Sequence, residues 1–545
     1  MFNGCTALKS ITIPASVTTL GKGSDGSVFQ NSGLTSITFL GEGKIESFGS
    51  NIFSNIDFTD TPGAAQNILN AVTKALKRTE GEFVLPARIF MNSVGVGAIV
   101  IPADYTSIGE RAFDCDGITS VTFAEGSKVT SFGGSAFTKL GALTSFQVPK
   151  GVKELTSSAL GGFTDKLTSF TFEGGSELTK FDIALKGTNI TELKLPKTVT
   201  FIGSNFLAEC TKFEHLYIVD WKDSQWTTVG TDTLPDNVTS VGTNTFQKTK
   251  LTSFTIPATT QFGTGSNKSL PNYMFAECGD LTSVTINSTT VTQIGNYAFQ
   301  KCVKLASITI PGTVTAINQY AFEGCKLLKT VTIQGTKVSS IGNYTFQNCS
   351  ALDTINFPTS LTSIGMNAFM GCTSLTKVVL ESVTTMSISG SAFSGCTNLA
   401  YFEAPANTNY SNTDIFKGCE NLTTVKLHKG NNAYVSKSGT TAYTTSTYAY
   451  TPWYQMYQNA KAGQTVSLVI GTGITTFVNY AFYMTGTTAA ASARFQIYFE
   501  DAESAITSKG SNNTLITDTN VTKHYVKGST WEYDADGITP KKKEA

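Results

Sequence analysis

Charge is scarce in this chain of 545 residues: only 15% are Asp, Glu, Lys or Arg, and the 40 basic residues cancel the 40 acidic ones. Such a balance leaves no basic face to neutralise a phosphate backbone, so nucleic acid is excluded as a partner. It also leaves no polybasic patch for an anionic membrane surface. Long apolar runs are missing as well, and none approaches the roughly 20 residues a membrane-crossing helix needs. Met1 is not followed by a charged stretch and then an apolar one, so no secretory leader is legible. Histidine occurs three times, at His215, His428 and His524. These are too dispersed for a histidine-dependent triad or a multi-histidine metal site. No glycine loop lies between a strand and a helix as nucleotide binding requires. Carboxylate pairs such as Glu500-Asp501 and Asp534-Asp536 read as solvated groups near the end of the chain, not as a glycosidase pair flanking a cleft. These absences point to a protein that is not an enzyme, and they imply no cofactor and no metal.

Repetition is what the sequence has in abundance. From Ile294 to Leu427 one pattern returns as Phe299/Cys302/Leu305, Phe322/Cys325/Leu328, Phe346/Cys349/Leu352, Phe369/Cys372/Leu375, Phe393/Cys396/Leu399 and Phe416/Cys419/Leu422, with 23 or 24 residues between phenylalanines. Looser units carry Phe29, Phe53, Phe90, Phe113, Phe137, Phe246 and Phe275 at the same place, and Leu160, Leu185 and Leu207 replace it elsewhere. Phe482 marks a late unit. One unit per turn gives roughly eighteen coils. The opening Phe2 to Leu8 reads as the middle of a unit, which implies a piece before it, because an uncapped coil exposes an apolar edge.

The periods within a unit set its local structure. In Leu305-x-x-Ile308-x-Ile310 the apolar residues alternate, the mark of a short strand with one buried face. Pro311 follows at the strand's end, where a missing donor does no harm. Ala321 and Phe322 lie four and five residues after Ile317, a helical spacing, so a short helix or turn is expected on the far side of the coil. The expected fold is an α/β-type repeat solenoid of 23–24-residue leucine-rich repeats. Its parallel strands form a continuous curved sheet, with short helices or turns opposite. All ten cysteines occupy one repeat position, without C-x-x-C pairs or nearby histidines. They read as small buried residues at the turn into the strand, with cross-coil disulfides the alternative. Rows of Thr and Ser, as in Leu251 to Ile256, read as a solvated β-face.

The A-F-x-x-C-x-x-L-x-x-I-x-I-P units, such as Ala298 to Pro311 and Ala368 to Leu380 (the second without the proline), make the chain resemble the BspA-like leucine-rich-repeat proteins of bacteria and some parasitic protists. The resemblance implies a curved solenoid on the cell surface, adhesion to host matrix proteins or other cells, and no catalytic residues.

Function in a repeat array is expected where the repeat breaks, because insertions emerge as loops. The solenoid is expected over residues 1–427, with insertions near 57–85, 219–235 and 261–269. The first should hold a helix over Thr61 to Arg78, capped at Thr61-Pro62 and packed on its own solenoid. The second carries Trp221 and Trp226, either a recognition pair or a plug on the core. The third, rich in Gly and Ser, reads as a loop. A fourth break, 428–465, is irregular and crowded with aromatics. Its Tyr448, Tyr450, Trp453, Tyr454 and Tyr457 are the main binding candidates, since tyrosine among small polar residues makes adaptable binding surfaces; the alternative is that they cover a sheet edge. Residues 466–540 should form a terminal repeat and cap, with Trp531 covering the core, and 541–545 a disordered tail. The expected function is non-enzymatic binding or adhesion by a monomer at the cell surface or outside the cell. The partner would be a protein or glycan, host extracellular matrix included. An intracellular protein–protein scaffold is the rival reading.

Overall fold

The computed structural model describes residues 1–21, 26–78, 81–263, 268–382, 384–410, 414–429, 434–435, 456, 461, 464–474, 476–477, 495–500, 521–525, 531–533 and 540–542. The chain divides into two compact units, Met1–Gly263 and Thr264–Ala545. Each is a parallel β-solenoid, and both are built from one kind of coil.

The coil is clearest in the second unit. The strand Ser307–Ile310 buries Ile308 and Ile310 and exposes Ser307 and Thr309, as the alternation predicts. It pairs in parallel register with Thr330–Ile333 of the next coil. Past the proline turn a second strand forms, only two residues long. Six of these, from Gln293–Ile294 to Asn409–Tyr410, make an unbroken ladder. Each coil is therefore held to its neighbour on two sides.

The third side carries no helix in the described coils, so of the helix or turn expected from Ile317, Ala321 and Phe322 only the turn forms. It is a run of turns with a left-handed residue on each side of the phenylalanine. Tyr297, Tyr320 and Tyr344, two residues before it, have φ of 59°, 58° and 59°. Lys301, Gly324 and Asn348, two residues after it, have φ of 55°, 73° and 59°. The backbone donors alternate in use. Tyr297, Phe299 and Lys301 donate to Gln319, Ala321 and Glu323 of the next coil at 3.1, 2.8 and 2.7 Å. The intervening Ala298, Gln300 and Cys302 donate three residues back within their own coil at 3.3, 3.1 and 3.1 Å. An α-helix points its donors along its own axis and not at the next coil, and its width of about 10 Å exceeds the strand spacing of about 4.8 Å, so helices would stack there only if the coils splayed on that side. Cross-coil bonding displaces the helix for that reason.

Inside the turns runs a column of phenylalanines. From Phe275 through Phe299, Phe322, Phe346, Phe369 and Phe393 to Phe416 the ring centroids lie 5.1–5.6 Å apart, within 18° of parallel. All seven are fully buried, and burial of each side chain stabilises by about 1.5–3 kcal/mol. Beside them run the cysteines. Cys302, Cys325, Cys349, Cys372, Cys396 and Cys419 are free and buried. Each thiol donates to the phenylalanine carbonyl of the preceding coil at 3.1–3.2 Å.

The longer strands do not form one continuous sheet, which corrects the expectation of one. In the second unit Ser307–Ile310, Thr330–Ile333 and Thr354–Ile355 form one group, and Lys377–Val379 begins another of six strands. Between the groups lies a cleft of about 430 Å³ lined by Asp353, Asn356, Phe357, Lys377 and Glu381. The two-residue ladder stays bonded across the same coils, Ser363 to Ser387, so the coils splay on the long-strand side alone. At the far end Pro540–Lys542 pairs antiparallel with Trp531–Tyr533. Lys541 and Lys542, expected in a disordered tail, belong to this short strand. The Trp531 side chain lies outside the described residues.

In the first unit the helix α1 (Ala64–Ala75) interrupts the repeat and buries Ile68, Leu69 and Val72 against its own solenoid. Its cap is Gly63 at φ 83°, not Thr61. The Thr61 carbonyl accepts from Ala64 N–H at 3.1 Å, and that turn needs a left-handed residue just before the helix, which only glycine supplies without strain. The Thr73 hydroxyl meets the buried Tyr105 hydroxyl at 3.0 Å.

Candidate binding surfaces

The left-handed position two residues before each phenylalanine projects its side chain outward. In four successive coils of the second unit it holds tyrosine: Tyr273, Tyr297, Tyr320 and Tyr344, with φ of 57–59°. Their rings stack at centroid separations of 4.4, 4.7 and 4.5 Å and within 6° of parallel. Coil spacing and a shared backbone conformation impose this register. The rings are half-buried by one another, and at the end of the row the Tyr344 hydroxyl reaches the Met366 sulfur at 4.0 Å. Partial burial and then the neighbouring hydroxyls raise the phenols of Tyr297 and Tyr320 above their ordinary value. Beside it Asn272 Oδ1 accepts from Asn296 N–H at 2.9 Å, and Asn343 Oδ1 from Met366 N–H at 2.8 Å. Sequence reasoning missed this stripe. The signal was present: a tyrosine two residues before phenylalanine, recurring at intervals of 24, 23 and 24.

The second surface holds the tryptophans. Strand β1 (Glu192–Pro196) pairs in parallel with β2 (His215–Lys222), which pairs antiparallel with β3 (Gln225–Thr231). The insertion is a hairpin that extends the repeat strand, residues 215–219, past its neighbour and returns along it. Asp223 and Ser224 close it with φ of 49° and 60°, a two-residue turn of the twist that hairpins favour. Eight residues long, β2 outruns β1, so the tip from Asp220 onward projects past the neighbouring strand. Trp221 and Trp226 face each other across the hairpin, centroids 5.1 Å apart and 71° inclined. Trp221 also lies over Gly174, where an added Cβ would meet its ring at 2.1 Å. Yet Trp221 remains 38% exposed. The pair thus rests on the solenoid and is open to solvent. On the hairpin's other face Asp220 takes Lys197 Nζ at 2.8 Å and Lys222 Nζ at 3.3 Å. The Lys197 hydrogen bond, above all, holds its carboxyl below the ordinary range.

Tyr448, Tyr450, Trp453, Tyr454 and Tyr457 lie outside the described residues. Around them in sequence the strand face changes character. Tyr401, Thr424, Ser467, Val469 and Tyr498 are all buried, where equivalent outward positions in earlier coils, such as Ser307, Thr309, Thr330 and Val379, are exposed or half-buried. His215 pairs with Asp232 at 3.1 Å and His428 lies 3.5 Å from Glu403. Among the described residues no group of three or more His, Cys, Asp or Glu is placed to hold a metal ion. No helix of the described residues is long and apolar enough to cross a membrane.

Stacked coils of this length, with buried Leu, Ile and Phe columns and outward side chains displayed at the coil spacing, define a leucine-rich-repeat solenoid. The BspA type leucine rich repeat region matches in six copies over residues 1–74, 84–216, 224–268, 268–386 and 328–438, and the chain belongs to that family. Among solved structures, a leucine rich cell surface protein from Faecalibacterium prausnitzii is 20% identical over 66% of this chain and 89% of its own, with a TM-score of 0.35. The leucine rich repeat protein of T. pallidum is 26% identical over 35% of this chain and 76% of its own, TM-score 0.26. The pneumococcal vaccine antigen PcpA is 15% identical over 82% and 83%, TM-score 0.25. No curated protein matches.

Proposed function

We propose that this protein is a non-enzymatic adhesion protein, displayed on or released from a cell, that binds a protein partner through outward aromatic side chains. The observation that carries this reading is the stripe Tyr273, Tyr297, Tyr320 and Tyr344, a row preformed by its own stacking. Preformed aromatic surfaces bind with little loss of side-chain entropy. The stacking consumes the ring faces and leaves the edges, which carry partial positive charge and the hydroxyls. Such edges suit carbonyl and carboxylate oxygens on a protein better than the apolar faces of sugars. Membership of a family of repeat proteins and the cell-surface description of the Faecalibacterium relative support the same reading. Tyr448, Tyr450, Trp453, Tyr454 and Tyr457 are proposed as a second contact, and the exposed Trp221–Trp226 pair as a third.

The test is binding to immobilised extracellular matrix proteins and to a glycan array. It compares the intact chain, a Tyr297→Asn/Tyr320→Asn variant, and a variant with Tyr450, Trp453 and Tyr454 changed to Ala. Retention on a matrix protein that falls at least about tenfold in the first variant, with the fold kept, supports the stripe. Binding lost only in the second variant moves the site to the Tyr450 segment. Binding by the glycan array alone overturns the protein-partner reading.

A further inference from the structure

The hairpin ends its strand group with an antiparallel strand, where the coils pair in parallel. Strand β3 lies at the end of its three-stranded group and is bonded on one edge only, to β2. Its two-residue turn fixes which groups are used. Lys222 with Gln225 and Asp220 with Thr227 exchange hydrogen bonds across the hairpin, so Trp226 and Thr228 turn their N–H and C=O groups outward. Among the described residues no backbone partner meets those groups. The stretch is also the most open strand of the first unit: Gln225, Thr227, Thr228, Val229 and Thr231 are exposed, Val229 by 55%. The bulge between Ile218 and Val219 lies at the hairpin's base, leaving the outer stretch regular.

Free strand edges are normally blunted by lysine, proline or an inward charge, because they template pairing with another chain. Here Gln225-Trp226-Thr227-Thr228-Val229-Gly230-Thr231 carries no charge and no proline. We propose that β3 is an association edge at which a second copy of this chain adds in antiparallel register, related by a two-fold axis through Thr227. In that register Trp226 faces Thr228 of the second copy, Thr228 faces its Trp226, and the two Thr227 residues face each other. The outward groups of both strands then meet in four backbone hydrogen bonds, and two three-stranded groups become one six-stranded sheet. The side-chain pairs formed, aromatic with β-branched and Thr with Thr, are those that stabilise neighbouring strands. With no charge on either strand, nothing repels the self-pairing, and the two-fold arrangement closes on itself, giving dimers rather than fibres.

Sedimentation equilibrium of the full chain tests this, with circular dichroism to confirm that each variant folds. The intact protein is expected to dimerise reversibly with concentration. Thr227→Lys sets two like charges opposite each other and should give monomers; so should Thr227→Glu. Thr228→Pro removes only an outward N–H that the hairpin does not use, so the fold should survive and the dimer should not. An equal mixture of the Lys and Glu variants should recover a dimer by pairing opposite charges across the axis. An intact chain that stays monomeric at every concentration overturns the proposal and leaves the edge to a strand of some other protein. Thr227→Lys and Thr228→Pro variants that dimerise as the intact chain does overturn it as well.

Discussion

Tyr320 sits at φ 58° with no glycine's freedom and no short side chain to hydrogen-bond its own backbone. A left-handed residue of this kind costs about 1–2 kcal/mol, and stacking on both neighbours, worth about 0.5–1.5 kcal/mol per pair, offsets it. The equivalent position elsewhere holds Asn244, Asn367 or Ser391, at φ of 57°, 55° and 55°. Tyr320→Asn should therefore change stability by less than about 1 kcal/mol in a denaturant titration, because asparagine tolerates the left-handed region. The same change should weaken partner binding. The cysteines give a prediction in pH. Burial pushes the Cys419 thiol up to about 12 and drives those of Cys302, Cys349 and Cys396 well above their ordinary value. A raised folded-state value means that the folded chain holds protons the unfolded chain releases. Stability should be flat near pH 7 and fall as pH rises past the ordinary thiol value of about 8.5. A denaturant midpoint that did not move between those conditions would contradict this. At neutral pH, thiol reagents should label Cys5, the one exposed cysteine, long before the buried ones.

At the scale of elements, the strands were legible and the far side of the coil was not. Ile308 and Ile310 alternate with Ser307 and Thr309, and a period of two has one structural meaning. The interval from Ile317 to Phe322 fits a helix by spacing alone. What excludes the helix is the neighbouring coil, whose carbonyls take every second donor. A hint did exist in the Gly or Asn that stands two residues after phenylalanine, as in Gly324, Asn348, Gly371 and Gly395, all at positive φ. The hairpin shows the same division. Two tryptophans in one insertion drew notice in the sequence, but Gly174, the residue under Trp221, lies two coils away and has no mark of its own. Gly174→Ala should lift the Trp221 ring, because its Cβ would lie 2.1 Å from the ring. The expected result is a red-shifted, more readily quenched tryptophan emission with the solenoid intact; an unchanged spectrum would mean that Trp221 does not rest there.

For the whole molecule, stability is a sum over coils and the contacts between successive coils. Phe346, fully buried between Phe322 and Phe369 at 5.3 and 5.2 Å, is a suitable point to break the column. Phe346→Ala should cost about 3–5 kcal/mol. The loss should appear as faster amide exchange in the coils on either side, fading along the second unit and leaving the coils around Phe113 and Phe137 protected. Uniform loss across both units would argue against nearest-neighbour coupling. The sequence by itself determined the coil: its length, its buried Leu, Ile and Phe positions, its cysteine column, and the family these define. Each of those is a local period, and a stack of near-identical units repeats a local signal until chance is excluded. The tertiary structure alone decided what lies between coils: turns in place of helices, a strand ladder that opens beside Lys377, four tyrosines stacked into one stripe, and a hairpin with one edge free. Those features depend on which backbone groups of one coil meet the next, and a reading along a single coil contains no such information.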